Sequence, residues 1–255
     1  ITYRSNYKEE DFARASSYKL NTFLTGLGVA YDLNPKLRHS IDFDYVIKDY
    51  TVTDSSTVAT SIGNSEGENV SFVLRNNLYY STLNSLMLPK DGNSLNYNNF
   101  IETPSSSSNG FVKNIITLKN YNKINNNIIS IQAQIGNVIS LNDNDILTDD
   151  KFSLGGRWLR GFDVYGAGPR NSRTSYVGGN NIITTKFDYS REITKNSDNP
   201  LYINLFNDYG LLWENKTKPT NNDNSLRSSF GFGIKYYSII GPIGFSWGFP
   251  VMDEE

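Results

Sequence analysis

The chain has 255 residues, 20% of them charged, and a formal net charge of −2 at pH 7. That length bounds it to one large domain or two small ones, and single all-β barrels of this size are common. So small a charge leaves no broad basic field for nucleic acid, and the lack of cysteine fits a periplasmic or surface protein that avoids stray oxidation.

No run of about eighteen apolar residues occurs, so no helix is expected to span a membrane. The mean hydropathy of −0.46 resembles that of a soluble protein. A transmembrane barrel has the same signature, because only alternate residues of each strand face lipid. Aromatics make up 13% of the chain, with 17 Tyr and 14 Phe, an excess that suits strands and interfacial girdles. No signal peptide precedes Ile1, and the natural N-terminus is expected upstream.

In chain order, strands are expected near residues 1–7, 18–32, 37–52, 70–85, 93–103, 111–123, 127–140, 180–193, 201–213, 225–238 and 243–251. Period-two alternation carries the assignment. Ile41, Phe43, Tyr45 and Ile47 alternate with Asp42, Asp44 and Lys48. Further on, Ile129, Ile131, Ala133 and Ile135 alternate with Ser130, Gln132, Gln134 and Gly136. Near the end, Phe230, Phe232, Ile234 and Tyr236 alternate with Ser229, Gly231, Gly233 and Lys235, and Ile243, Phe245, Trp247 and Phe249 with Gly244, Ser246 and Gly248. Many of these strands exceed the usual five or six or so residues and match the roughly nine to eleven that a tilted strand needs to cross a bilayer.

The connections alternate in length. Short ones fall at Asn34-Pro35, Pro89 to Gly92, Asn125-Asn126, residues 195–199 and residues 239–242; longer ones span residues 9–17, 53–69, 104–110, 141–179 and 214–224. Outer-membrane barrels have short periplasmic turns and longer outer loops, whereas a soluble meander has no reason to sort its loops by parity. The expected fold is therefore all-β: a transmembrane, antiparallel, up-and-down β-barrel in which residues 1–255 form a single domain.

The longest loop carries the most specific signal. It runs Gly155-Gly156-Arg157-Trp158-Leu159-Arg160-Gly161-Phe162, then Gly166-Ala167-Gly168-Pro169, then Gly178-Gly179-Asn180. In order and spacing this set resembles the loop-six signature of the BamA superfamily of outer-membrane insertases. Phe206 to Gly210, Trp213, Arg227, Gly231, Gly233 and Gly241-Pro242 resemble that family's last strands, and Leu88-Pro89 to Gly92 one of its turns. The resemblance covers nearly the whole chain, most firmly from Lys151 onward.

The resemblance implies a sixteen-stranded barrel of which about eleven strands are present. It places POTRA domains and the first strands upstream, and a closing strand beyond Glu255. It further implies the bacterial outer membrane, the lipid bilayer and nascent outer-membrane proteins as partners, accessory lipoproteins reached through POTRA domains, and no bond chemistry. No cofactor is expected. Within the superfamily, a TamA-like factor or a two-partner secretion transporter stands beside a BamA-type factor. A passive porin is the reading from a different class.

Strand parity gives Arg160 a role. Asp188 shares a face with Thr184, Lys186 and Ser190, opposite Ile183, Phe187 and Tyr189; Asp208 shares a face with Asn204, opposite Ile203, Leu205 and Tyr209. Both carboxylates should therefore point inward on neighbouring strands. Arg160, at the tip of a loop long enough to fold inside, is expected to pair with both through its planar fork of donors. Gly161 would permit close backbone approach and Phe162 would wedge against the wall. In the family an acidic pair on these strands receives the loop arginine, often with Glu where this chain has the shorter Asp188.

Other signals carry less. His39, the single histidine, has no partners for a hydrolytic site or a zinc site and is expected to be an ordinary polar residue beside a turn. Asn142-Asp143-Asn144-Asp145 with Asp149-Asp150 hints at calcium but lacks the glycine and terminal Glu of an EF-hand loop, so a solvated loop is expected. Gly166-Ala167-Gly168 precedes no helix, and Pro169 removes a donor, which argues against a phosphate cradle.

Overall fold

The computed structural model describes residues 1–104, 110–142, 145–171, 175–194, 199–215 and 225–252. Eleven strands follow one another as β1 (Thr2–Asp11), β2 (Tyr18–Asn34), β3 (Leu37–Val52), β4 (Gly67–Ser81), β5 (Gly92–Glu102), β6 (Phe111–Ile124), β7 (Asn127–Ser140), β8 (Asn181–Glu192), β9 (Leu201–Trp213), β10 (Arg227–Ser238) and β11 (Gly241–Met252). They form one sheet in sequence order, each strand antiparallel to its neighbours. Single helical turns, α1 (Ala13–Ser16) and α2 (Thr60–Gly63), sit in the connections before β2 and β4. No helix among the described residues is long and apolar enough to cross a membrane, which says nothing of crossing by strands.

Alternation sorts the side chains onto two faces. On β9, Tyr202, Asn204, Phe206, Asp208 and Leu212 are buried, while Ile203, Leu205 and Tyr209 are exposed. The exposed face continues through Phe43, Ile131, Phe187, Phe232 and Phe245, the last 65% exposed. A contiguous apolar belt of this extent is untenable in water and suits hydrocarbon. The other face is concave. Lys90, just before β5, reaches Glu192 at the end of β8 (3.4 Å), and Lys48 on β3 reaches Asp149 between β7 and β8 (2.8 Å). Both contacts require the sheet to curl around its polar face. Among the described residues β1 and β11 do not pair with each other, so the barrel is open along those edges.

Two strand ends differ most from the alternation reading, each by four residues. Strand β1 runs on to Asp11 through Lys8, Glu9 and Glu10, because every residue up to Asp11 pairs with β2 and the Lys8–Glu10 ion pair (2.7 Å) offsets the acidic run. Strand β4 stops at Ser81 rather than 85. The β4–β5 connection is consequently not a four-residue turn but residues 82–91, folded on Asn84, whose Oδ1 accepts the backbone N–H groups of Lys90 (3.0 Å) and Asp91 (3.2 Å). Among the described residues the tight turns are at residues 35–36, 125–126 and 239–240. The expected connections at Lys195 to Asn199 and the centres of the loops at Ser106 and Asn221 lie wholly or largely outside the described residues.

The inner wall near β1 holds its own charge rung. Asp44 on β3 is fully buried and accepts Arg4 Nε (2.9 Å) and Nη2 (2.7 Å) from β1, with Arg75 Nε of β4 at 2.7 Å. Arg4, Gly26 and Asp44 are register partners across β1, β2 and β3. An ideal Cβ on Gly26 would lie 2.1 Å from Asp44 Oδ1. The missing side chain is thus what lets the guanidinium cross β2.

Candidate functional site

The β7–β8 connection, residues 141–180, folds onto the concave face. Its outward and returning limbs are tied by isolated bridges, Phe152 with Gly179 and Leu154 with Ala167. Phe152, Leu154, Leu159, Ala167 and Tyr176 are buried with Val138, Ile182 and Leu212 of the wall. This apolar contact carries the loop inward, since each large side chain so buried contributes about 1.5–3 kcal/mol.

The tip is a compact turn. Gly156 N–H donates to Phe162 O (3.0 Å) and Trp158 N–H to Gly155 O (3.2 Å). Gly155 has φ +119 and Gly161 φ +93, in the left-handed region that favours glycine. Further along, Gly166 N–H donates to Asp163 O (2.8 Å), Gly168 lies against Leu212, and Pro169 O accepts Val177 N–H (3.1 Å). The Gly166–Gly168 stretch therefore forms part of the loop's packing.

Arg160 meets both carboxylates singled out by parity. Its Nε donates to Asp208 Oδ2 (2.7 Å) and its Nη2 to Asp208 Oδ1 (2.5 Å), while its backbone N–H adds a bond to Asp208 Oδ2 (3.1 Å). Toward Asp188, Nη1 donates to Oδ1 (2.9 Å) and Nη2 to Oδ2 (3.1 Å). The shorter Asp188 side chain therefore reaches. Asp208 is fully buried and Asp188 nearly so, and paired bonds from a guanidinium are what make such buried carboxylates tolerable. Burial works against the charge on Arg160, but its bonds to Asp208 and Asp188 outweigh it and hold the group further above its ordinary range.

Several partners of this clamp are not evident from parity. Asp188 pairs in register with Phe206, Phe206 with Gly231, and Gly231 with Gly248, a single rung across β8 to β11. The Arg160 guanidinium lies 3.7 Å from the centroid of the Phe206 ring, a cation–π contact. Gly161 rests on Gly248: an ideal Cβ on either would stand under 3.0 Å from the other's backbone. Asn204 Nδ2 (3.3 Å) and Lys235 Nζ (3.5 Å) complete the surroundings of Asp188. Phe162 packs, half-buried, at the edge of the loop's apolar cluster. Below the tip, a cavity of about 1050 Å³ extends to Leu83, Met87 and Pro89 of the β4–β5 connection, so the interior is bounded at one end by the loop and at the other by that connection.

The expectation of a solvated Asp149-Asp150 is overturned. Both are largely buried against Lys48 of β3, whose Nζ donates to Asp149 Oδ2 (2.8 Å) and Asp150 Oδ1 (2.5 Å). Burial first, then Asp149 and Glu102 nearby, push the Asp150 carboxyl up to about 7, against the opposing pull of Lys48. Lys48 sits about a hundred positions earlier on a distant strand, so no local pattern betrays it. Asp143 and Asn144 lie outside the described residues. Among the described residues no cluster of His, Cys, Asp and Glu is arranged to hold a metal. His39 stands beside its turn, its Nδ1 2.7 Å from the Tyr31 hydroxyl.

Comparison with known proteins places this geometry. The Omp85 superfamily domain matches residues 1–255, the whole chain. The outer membrane protein assembly factor BamA of Nitratidesulfovibrio vulgaris is 24% identical over 220 residues, covering 84% of this chain and 27% of that protein. The crystal structure of BamA from Haemophilus ducreyi lacking POTRA domains 1-3 superposes with a TM-score of 0.82 at 18% identity, covering 99% of this chain and 55% of that one. The likeness is one of fold. The chain spans only part of the length of both relatives.

Proposed function

The chain belongs to the Omp85 superfamily and is an outer-membrane β-barrel portion, and on that premise we propose that it supplies the barrel of a BamA-type assembly factor, which folds and inserts other outer-membrane proteins. The observation that carries the reading is the β7–β8 loop drawn into the concave side and pinned there by Arg160 to Asp188 and Asp208. A passive conduit needs an open interior. Here the loop and the β4–β5 connection bound the interior at its two ends, and the work is assigned to the wall and the bilayer around it. The apolar outer face sets the protein in lipid, and no bond chemistry is assigned to any residue. Nascent barrel proteins are the substrates. Accessory lipoproteins, engaged through POTRA domains of the whole protein, are the further partners.

The test uses the full-length protein in lipid vesicles, with a urea-unfolded β-barrel client diluted onto them. Folding of the client is expected to run faster than on empty vesicles, while single-channel recordings show little steady current. No acceleration together with a stable ohmic conductance would replace this reading with a diffusion pore.

A further inference from the structure

Arg160 accounts for the tip of the β7–β8 loop and leaves its stem unexplained. The stem has an ion cluster of its own, on the opposite part of the wall. Lys48 Nζ bridges Asp149 and Asp150, and the Tyr50 hydroxyl, two residues along β3, sits 3.0 Å from both Asp149 carboxylate oxygens. From β6, Lys113 Nζ donates to the Asp150 carbonyl (2.7 Å) and stands 4.5 Å from the centroid of the Phe152 ring. Lys151 turns the other way, to Glu214 at 2.6 Å. The side chains of Lys48, Asp149 and Asp150 are 14%, 7% and 13% exposed, so these charges have given up most of their water.

We propose that Lys48 is a positioning residue that fastens the stem of the β7–β8 loop to the β3 wall, making the loop a brace held at two separately releasable ends. Three observations carry this. The two ion clusters share no residue: one draws on β3 and β6, the other on β8, β9 and β10. Between them lie Phe152 and Leu154, both buried in the wall, so one end can loosen while this middle stays packed. The stem end also has neighbours of its own. Leu147 packs on the cluster of Phe12, Tyr18, Leu20 and Tyr50, and the returning limb donates from Tyr176 N–H to Ala15 O (2.7 Å) and from Asn171 Nδ2 to Thr57 O (2.8 Å). Without Lys48, two adjacent buried carboxylates near Glu102 would face each other unneutralised, which expels a segment more effectively than the loss of an apolar contact. A loop fixed to β3 and to β8–β9 at once sets the chord across the interior, and hence how far those walls stand apart.

The inference rests on the insertase reading for its consequence but not for its geometry. The full-length protein, in which these 255 residues contain no cysteine and any cysteine elsewhere is replaced by serine, receives a single reporter, either Ile146→Cys in the stem or Leu159→Cys in the tip; both positions are buried. Maleimide labelling in vesicles is followed with and without Lys48→Met. Stem labelling is expected to rise about tenfold or more, the scale of a local opening, with tip labelling unchanged and client folding slowed; Lys48→Arg should reverse both. Arg160→Ala should show the opposite bias. Stem labelling that stays flat, or tip labelling that rises with it, would overturn the two-ended brace. Stem release with client folding untouched supports the anchor and counts instead against the loop's part in insertion. If Lys48→Met does not assemble, the variant that also carries Asp149→Asn and Asp150→Asn removes all three charges. It should dock the stem again, and persistent stem labelling there would equally refute the proposal.

Discussion

Among the described residues two arginine–aspartate clusters line the concave face, and they are centred on opposite charges. Near β1, the fully buried carboxylate of Asp44 is shared by Arg4 and Arg75, and Arg4 also reaches Asp42 at 3.4 Å. Near β9, one guanidinium, Arg160, is shared by Asp188 and Asp208. Both exploit glycine, but differently: Gly26 clears a path between strands already in register, whereas Gly161 and Gly248 let a loop touch a strand. The first cluster ties wall to wall, where the backbone ladder already holds the partners together. The second ties a loop to the wall with no ladder behind it. The difference teaches that similar ion geometry carries different weight depending on what else holds its members.

The largest expected effect follows from that asymmetry. Arg160→Ala leaves two buried carboxylates together and frees the tip. It should cost about 3 kcal/mol, the low end for breaking a buried ion pair, because the cavity beside it admits water. Heat-modifiability of the full-length barrel on gels should fall and the loop should become sensitive to protease. Arg160→Lys should recover only part, since an ammonium lacks the planar fork. Adding Asp208→Asn to Arg160→Ala should cost little beyond either change alone; strictly additive losses would break the comparison at its root.

Asp44→Asn should cost less, about 2 kcal/mol, the scale of hydrogen bonds to a charged group. It leaves a neutral amide between Arg4 and Arg75, yet Arg4 keeps Asp42 (3.4 Å) and the β1–β2–β3 ladder remains. Protease sensitivity of the β7–β8 loop should stay at its original level, and a loop that opens in this variant would show the two clusters to be one. Gly26→Ala should cost about 2 kcal/mol, in the middle of the range for overpacking. Its Cβ would stand 2.1 Å from Asp44 Oδ1 and 2.5 Å from the Phe43 backbone oxygen, both on β3, so the β2–β3 pairing itself must give. Thermal melts of the two variants should fall by similar amounts.

The smallest effect concerns pH and separates both arginine clusters from the lysine at the stem. Asp150 is raised from its ordinary 3.8 to about 7 when docked, so docking takes up a proton. The extra stability is present below the undocked pKa and is lost as pH rises through about 7. Around Asp150 stand Lys48 and Tyr50 on β3, Glu102 on β5, Lys113 on β6, Asp149 in the stem and Tyr18 on β2. Normalised to a free thiol at each pH, because the thiolate fraction itself climbs over this range, labelling of the Ile146→Cys stem reporter should rise at least a few-fold from pH 5 to pH 8. The Leu159→Cys reporter beside Arg160, a group that stays charged throughout, should be flat after the same normalisation. A tip reporter that follows pH in step with the stem would erase the distinction.

Much of this was legible in residues alone. Period-two alternation located all eleven strands, and parity turned Asp188 and Asp208 inward, because a strand has only two faces and lipid accepts only one kind of side chain. The glycine-rich motif marked Arg160 as the residue to meet them. Length parity of the connections was less reliable: residues 82–91 looked like a tight turn because Pro89 and Gly92 stand close together, and nothing local shows that Asn84 gathers the chain before them.

The sequence by itself determined what a local rule can determine: which residues are strand, which face is apolar, and which polar side chains look inward. Only the tertiary structure decided which inward charges meet. Lys48 and Asp150 stand 102 positions apart, and Arg160 lies over a ring on β9 while its neighbour Gly161 rests on β11. Such contacts depend on how tightly the sheet curls and where a forty-residue loop crosses it. Curl and crossing are sums over every strand pair and every packed side chain, so no short stretch of sequence contains them.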